Sequence, residues 1–362
     1  MSRFAKHLQQ HTIHNPFQGI VRLEKTLGHP VGVRIGSNES AALESPALLQ
    51  LLGPAGCELA RLYPDPYAHE LRRLAASLNH VSCDQVLFDS GADSLILLAL
   101  RLCCDVGDAV ITSAGSYPSF RYFSEGCATK VIEVSLREST DHYLEADLGG
   151  LACAAHQHKA KMVYLANPDN PTAHYHSQAE IERLRQSLPS ECVLLLDEAY
   201  LEFAASEPIY SIPLPNTIRL RTLSKAYALA GMRIGYAVAA QEIITKADEI
   251  RPQFALSSLA QAAASIALQA QSEVRQLLKS TIATRDDLRE RLLQRGLTVL
   301  PSWTNFVSIL YPDSTDAERV QRQLFNQGIA VHRPLHPAVS HLIRLTAQPA
   351  ALSTAVIDTL AS

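Results

Sequence analysis

Between residues 86 and 240, short apolar runs alternate with longer stretches in which apolar positions recur every three or four residues. The runs at 86–88, 109–112, 130–134, 162–165 and 193–196 are too short for helices and mostly lack a polar face, as strands buried on both sides do. The intervening patterns predict helices at 94–104, 118–125 and 178–188. Parallel strands must be joined by crossovers, so the alternation predicts an α/β fold whose mostly parallel sheet carries helices on both faces. A further pair of strands is expected at 217–223 and 234–238, separated by a small-residue turn.

Outside this block the pattern changes. An N-terminal arm leads to a short strand at 31–35, and the turn residues Pro64, Asp65 and Pro66 open a helix at 69–78. Beyond residue 244 the chain reads as helical: an alanine-rich stretch at 257–271, then a long helix at 273–295 whose Asp287 and Arg291 pair on a solvated face. Strands at 306–310, 330–332 and 342–345, with helices at 316–327 and 350–360, predict a smaller α/β layer. The expected division is therefore an arm over 1–39 belonging to the small domain, a large domain over 40–250, and a small domain over 251–362.

In open parallel sheets, ligands bind beyond the carboxyl ends of the strands, and four chemical features fall there. Ser90-Gly91-Ala92-Asp93-Ser94 joins a strand to a helix with small residues that let backbone N–H groups approach an anion. Asn167-Pro168-Asp169-Asn170-Pro171-Thr172 presents the Asn170 amide from a proline-stiffened loop. Asp197 ends a strand apolar enough to be buried, where a carboxylate needs a cationic partner or strong hydrogen bonds to stay ionised. Ser224, Lys225 and Arg233 bring a hydroxyl, an amine and a guanidinium to the same edge. Each feature alone has a plain alternative: a helix cap, a turn, a buried acid, a loop lysine. Together, an amine for an aldehyde, a carboxylate for a pyridinium and a cradle for a phosphate are what pyridoxal 5′-phosphate requires.

Composition narrows the class without choosing the chemistry. A net charge of -4 argues against a nucleic-acid surface, and 47% hydrophobic with 19% charged residues describes a soluble globular enzyme. No apolar stretch is long enough to span a membrane, and the first fifteen residues lack the apolar core of a secretory signal, so the cytoplasm is expected. The seven cysteines, with no C-x-x-C pair, read as reduced, buried thiols. His156, His158, His174 and His176 lack metal-binding spacing and read as solvated loop residues, so no metal is expected.

The four features, in this order and spacing, carry a family resemblance. With Asp197-Glu198-Ala199-Tyr200 and the run from Arg221 to Arg233, the chain resembles fold type I pyridoxal-phosphate enzymes and, among them, histidinol-phosphate aminotransferase over nearly its whole length. The resemblance implies an aspartate-aminotransferase-like large domain and assigns roles. Lys225 is the amine that condenses with the cofactor as a Schiff base and then shuttles the substrate α-proton. Asp197 keeps the pyridine nitrogen protonated; Asn170 and Tyr200 bond the ring hydroxyl; Tyr117 stacks on the ring. Gly91, Ala92, Asp93, Thr222, Ser224 and Arg233 surround the phosphate, and Tyr63 reaches it from the neighbouring subunit of a homodimer. Arg344 takes the substrate carboxylate, Asn38 lies in a segment that closes over the substrate, and Asn305 belongs to a small-domain motif.

The departures from the family pattern bear on the substrate. Ala173 replaces the usual glycine, which predicts a backbone without positive φ there. Ala347-Gln348-Pro349 replaces the usual Gly-Thr after the carboxylate arginine. Phe17 stands in the substrate region where the family has a tyrosine that helps hold the substrate phosphate, and it cannot hydrogen-bond. A second phosphate-binding arginine falls on either His332 or Arg333. The activity implied is transamination between an amino acid, glutamate as donor, and a keto acceptor. Histidinol phosphate is the family substrate; an aromatic or apolar amino acid, or decarboxylation of the threonine-phosphate type, are the alternatives.

Overall fold

Seven strands share one sheet among the residues described by the computed structural model, 3–10, 12–17, 19–139, 144–204 and 214–362. They are β1 (Val86–Asp89), β2 (Ala109–Ser113), β3 (Lys130–Val134), β4 (Met162–Ala166), β5 (Val193–Asp197), β6 (Thr217–Thr222) and β7 (Gly235–Val238). Their order across the sheet is β1-β7-β6-β5-β4-β2-β3. Only β7 runs against its neighbours, pairing antiparallel with β1 and β6, while the remaining pairs are parallel. The chain moves outward from β2 to β3, then returns to β4 and advances the other way. The loops after β2 and β4 therefore flank the switch point, where a crevice opens.

Burial explains the continuous apolar runs. Every residue of β1, β4, β6 and β7 is buried, as helices cover both faces. Helix Gly91–Cys103, with Leu95, Ile96 and Leu100 buried, packs on one face. On the other, helices His69–Asn79 and Ser258–Gln269 close over Phe88, Tyr236 and Val238. A smaller antiparallel sheet follows from β8 (Thr298–Val299), β9 (Phe306–Leu310) and β10 (Leu342–Thr346). Val33–Arg34 pairs in parallel with Ile329–Ala330, so the N-terminal segment joins this C-terminal layer.

Several expectations need correction. The helix expected from residue 94 begins at Gly91, directly on the small residues that follow β1. The strand expected at 31–35 pairs only at Val33–Arg34, and that expected at 330–332 ends at Ala330, with His332 making an isolated bridge to Arg344. The helix expected at 350–360 is a 3-10 turn, Pro349–Leu352, followed by a new helix, Thr354–Leu360, because Ser353 caps its start by accepting the Val356 N–H. All seven cysteines are free thiols, but Cys57, Cys83 and Cys153 are exposed and only Cys192 is fully buried. His176 is buried and His174 largely so, against Trp303 and Glu145, because the loop that carries them folds under the small layer. No His/Cys/Asp/Glu group among the described residues could hold a metal, and no described helix is long and apolar enough to cross a membrane.

Candidate active site

The crevice holds a cavity of ≈ 640 Å³ lined from strand ends, the N-terminal segment and the small layer. At its inner end, Gly91 has φ +83, and a Cβ placed there would lie 2.8 Å from Arg233 Nη2. A Cβ on Gly235 would come within 2.9 Å of the Ala92 nitrogen. The two glycines thus let the Arg233 guanidinium and the start of β7 lie against the N-terminus of helix Gly91–Cys103. That end offers backbone N–H groups and a positive dipole. Thr222 at the end of β6 and Ser224 two residues beyond face it, their hydroxyls 3.0 Å apart. Asp93 Oδ2 lies 4.0 Å from Arg233, and Asp93 Oδ1 accepts the Tyr117 hydroxyl at 3.0 Å.

Deeper in, Asp197 ends β5 with 4% of its surface exposed. Its Oδ2 accepts the Tyr164 hydroxyl at 2.8 Å and its Oδ1 the Ala199 N–H at 3.1 Å. Burial outweighs both bonds and raises the carboxyl to about 6. Neither partner is a cation. Tyr164 was not singled out from the sequence, although a phenol in the middle of an otherwise aliphatic central strand was the available signal.

Lys225 lies three residues beyond β6, its Nζ donating to Asn38 O at 3.0 Å and Ser37 O at 3.3 Å. Burial first, then the nearby Arg344, lowers its amine to about 7, where a neutral nucleophile is populated. Tyr200 follows β5, with its ring centroid 5.8 Å from Nζ and its hydroxyl accepting Asn38 Nδ2 at 2.9 Å. Asn170 projects from the loop after β4 and accepts from Arg344 Nη1 through Oδ1.

At the outer end, buried Arg344 also donates from Nη2 to Gly36 O at 2.6 Å. His332 is bridged directly opposite Arg344 in an antiparallel pairing, which puts both side chains on one face. Burial holds the His332 imidazole well below its ordinary basicity, so it is neutral. Arg333 alternates away: it donates to Gln321 Oε1 and Ser340 O, and lies 3.6 Å from Glu318. His332, not Arg333, therefore shares the face of Arg344. The half-exposed Phe17 ring stands 6.0 Å from Tyr117, and Ile20, Leu23, Phe325 and Val331 continue an apolar wall.

Two sequence expectations fare differently here. Ala173 has φ +63, against the prediction of a negative value. Its loop imposes the glycine-like conformation through Ala173 N–H to Asp169 O and Trp303 N–H to Ala173 O, at a cost of about 1 kcal/mol for a residue with a Cβ. Tyr63 does not line the cavity; it is 86% exposed and packs on Phe254 with ring centroids 4.9 Å apart. Ala92, Asp93, Tyr117, Asn170, Asp197, Tyr200, Thr222, Ser224, Lys225, Arg233, Arg344, Asn38 and Phe17 all line it.

These groups fit pyridoxal 5′-phosphate. The Arg233 guanidinium that Gly91 admits beside the helix N-terminus makes an anion cradle, the buried Asp197 suits a pyridine N–H, and the Lys225 amine, partly neutral near pH 7, suits an aldehyde carbon. A family model, aminotransferase class I and II, matches residues 36–362. A histidinol-phosphate aminotransferase from Carboxydothermus hydrogenoformans is 33% identical over 322 residues, 87% of this chain and 86% of the relative. An aromatic amino acid aminotransferase from Nocardia farcinica is 33% identical over 77% of this chain and 78% of its own length. The crystal structure of histidinol-phosphate aminotransferase from Sinorhizobium meliloti in complex with pyridoxal 5′-phosphate superposes with a TM-score of 0.89 at 32% identity, covering 100% of this chain and 96% of that one.

Proposed function

The chain belongs to the class I and II aminotransferases, which are pyridoxal-phosphate enzymes, and from that premise we propose that it moves the amino group of glutamate to a 2-oxo acid with an aromatic or apolar side chain. The observation that carries the reading is the pairing, in one cavity, of a buried acid with a lysine whose amine is lowered to about 7, beside a single buried arginine. When bound, pyridoxal 5′-phosphate supplies a ring that accepts the electron pair left at the substrate α-carbon.

The residues of the chain do the rest. Helix Gly91–Cys103, Ser224 and Arg233 hold the phosphate, with Thr222 fixing the Ser224 hydroxyl. Asp197 keeps a proton at the pyridine nitrogen, a role the Tyr164 hydrogen bond supports by favouring the ionised carboxylate. Asn170 and Tyr200 orient the ring hydroxyl, and Tyr117 stacks on the ring. Lys225, whose amine titrates at about 7, takes and returns the α-proton.

Charge balance at the outer end favours an acceptor with a single carboxylate, which leaves Arg333 or Arg34, also on the cavity wall, for the second carboxylate of the glutamate donor. Arg344 matches one carboxylate in a bidentate pair. A phosphate dianion asks more of the wall, where His332 is neutral, Phe17 offers no donor, and the lining residues Arg333 and Arg34 are shared with Glu318 at 3.6 Å and Glu39 at 3.4 Å. Histidinol phosphate is the second reading, favoured by the names of most of the similar relatives. The test converts the cofactor-loaded enzyme to its amine form with glutamate, then measures return of the aldehyde-form absorbance. Phenylpyruvate should act with kcat/KM at least about tenfold above imidazole-acetol phosphate. The opposite order overturns the substrate class, release of carbon dioxide overturns transamination, and turnover by Lys225→Ala overturns the site.

A further inference from the structure

Asn305, 0% exposed just before β9, spends both protons of its side-chain amide on the N-terminal segment. Its Nδ2 donates to Asn38 O at 3.1 Å and to Ser40 Oγ at 3.3 Å. Both acceptors touch Lys225. Asn38 O is also the acceptor of Lys225 Nζ at 3.0 Å, and Ser40 Oγ donates to the Lys225 main-chain oxygen at 2.6 Å. One amide from the small layer therefore brackets the lysine at its amine and at its backbone.

We propose that Asn305 is a positioning residue for Lys225: it holds the Asn38 carbonyl where the free amine docks and seals that side of the site from water. The amide orientation follows from the network. Asn38 O can only accept, and the Ser40 proton is committed to Lys225, so both contacts require the NH₂ end. The price is that Asn305 Oδ1 is buried without a partner, an uncommon arrangement in folded proteins. Asn38 is itself fixed in a left-handed conformation, φ 54, by Thr346 Oγ1 and Tyr200. Arg344 from β10, Arg233 ahead of β7, Glu39 from the same segment, Asp93 from helix Gly91–Cys103 and the Tyr200 ring also face the amine. Burial is the largest influence on it, so a loosened bracket that admits water moves its basicity upward.

The inference rests on the proposed role of Lys225, and its test is read separately from turnover. Lysine acylation in the full-length, cofactor-free protein, followed by peptide mass spectrometry across pH, gives the titration midpoint of Lys225. In Asn305→Ala the midpoint should rise by about one pH unit, making labelling at pH 7 several-fold to about tenfold slower, while other lysines are unchanged. In the holoenzyme kcat should fall with the KM for glutamate held within about twofold. Ser40→Ala should move the midpoint the same way by less, and it decides the matter if Asn305→Ala does not fold. A folded Asn305→Ala with lowered thermal stability and an unmoved or lowered midpoint makes Asn305 merely structural and overturns the proposal, as does an unmoved midpoint in Ser40→Ala when it is the deciding variant. Turnover by Lys225→Ala would refute the lysine's role without touching the midpoint.

Discussion

Burial pushes the two reactive side chains toward neutrality from opposite directions, the acid up to about 6 and the amine down to about 7. For Asp197 the consequence is measurable without cofactor. Its folded pKa lies above the ordinary 3.8, so the stability it contributes is present below pH 3.8 and lost as pH rises through 6. Asp197→Asn should escape that loss: urea unfolding of the cofactor-free protein at pH 7.5 should show the variant more stable by on the order of 2 kcal/mol, with the difference vanishing near pH 4. Transamination by the loaded variant should fall by about two orders of magnitude or more, since the ring loses its anionic partner. That Lys225, Asp197, Asn170 and Arg233 share one cavity was legible because each stands next to a recognisable strand. Tyr164 was not, since a tyrosine in a buried strand reads as packing until a carboxylate is seen beside it. The positive φ of Ala173 was misread for a related reason: local sequence reports what a residue prefers, and here a bond within the loop to Asp169 and one from distant Trp303 overrule it.

Strand β6 carries the largest departure from its pattern. Thr217-Ile218-Arg219-Leu220-Arg221-Thr222 alternates as if one face met water, yet all six residues are buried. Arg219 lies 3.0 Å from Glu198, and Arg221 lies 2.9 Å from Glu202 and 3.7 Å from Glu198. The acids come from the segment just after β5, so this internal ion cluster fixes Glu198 on one side of the chain and leaves Asp197 facing the cavity. Removing one partner strands a charge in the interior. Arg221→Met should lower stability by about 3–5 kcal/mol in chemical unfolding, far more than loss of the exposed Asp287–Arg291 pair by the same measurement. Helices Ile20–Leu27, Pro46–Leu51, Pro54–Ala60, Leu148–Gln157 and Gln241–Ile250 were not anticipated, whereas most of the remaining elements were legible in type from periodicity. Their ends were not, because caps decide them: Ser353 splits one expected helix, and an irregular residue at Ala270 separates Ser258–Gln269 from Gln271–Gln294.

For the whole molecule, the apolar residues left in water point to assembly. Tyr63, Phe254, Leu62, Leu49 and Leu52 are between 49% and 86% exposed. The family resemblance expects a twofold dimer in which Tyr63 reaches the phosphate end of the partner's cavity, and such a dimer would cover these residues. Sedimentation should show a dimer, and mixing inactive Tyr63→Ala with inactive Lys225→Ala subunits should restore activity through hybrids that hold one complete site. No pattern along a single chain could have shown which surface a second copy covers. The site itself joins distant parts of the chain: Asn38 is bonded to Thr346 across 308 residues, and Val33–Arg34 lies alongside Ile329–Ala330. Protein synthesis proceeds from one end only, at about 5–20 residues per second, so roughly 15–60 s separate the emergence of these partners from the ribosome. The seven-stranded sheet can be assembled in that interval, but the roof over Lys225 cannot. A nascent chain holds its Lys225 amine uncovered until the segment from Asn305 to Thr346 has emerged.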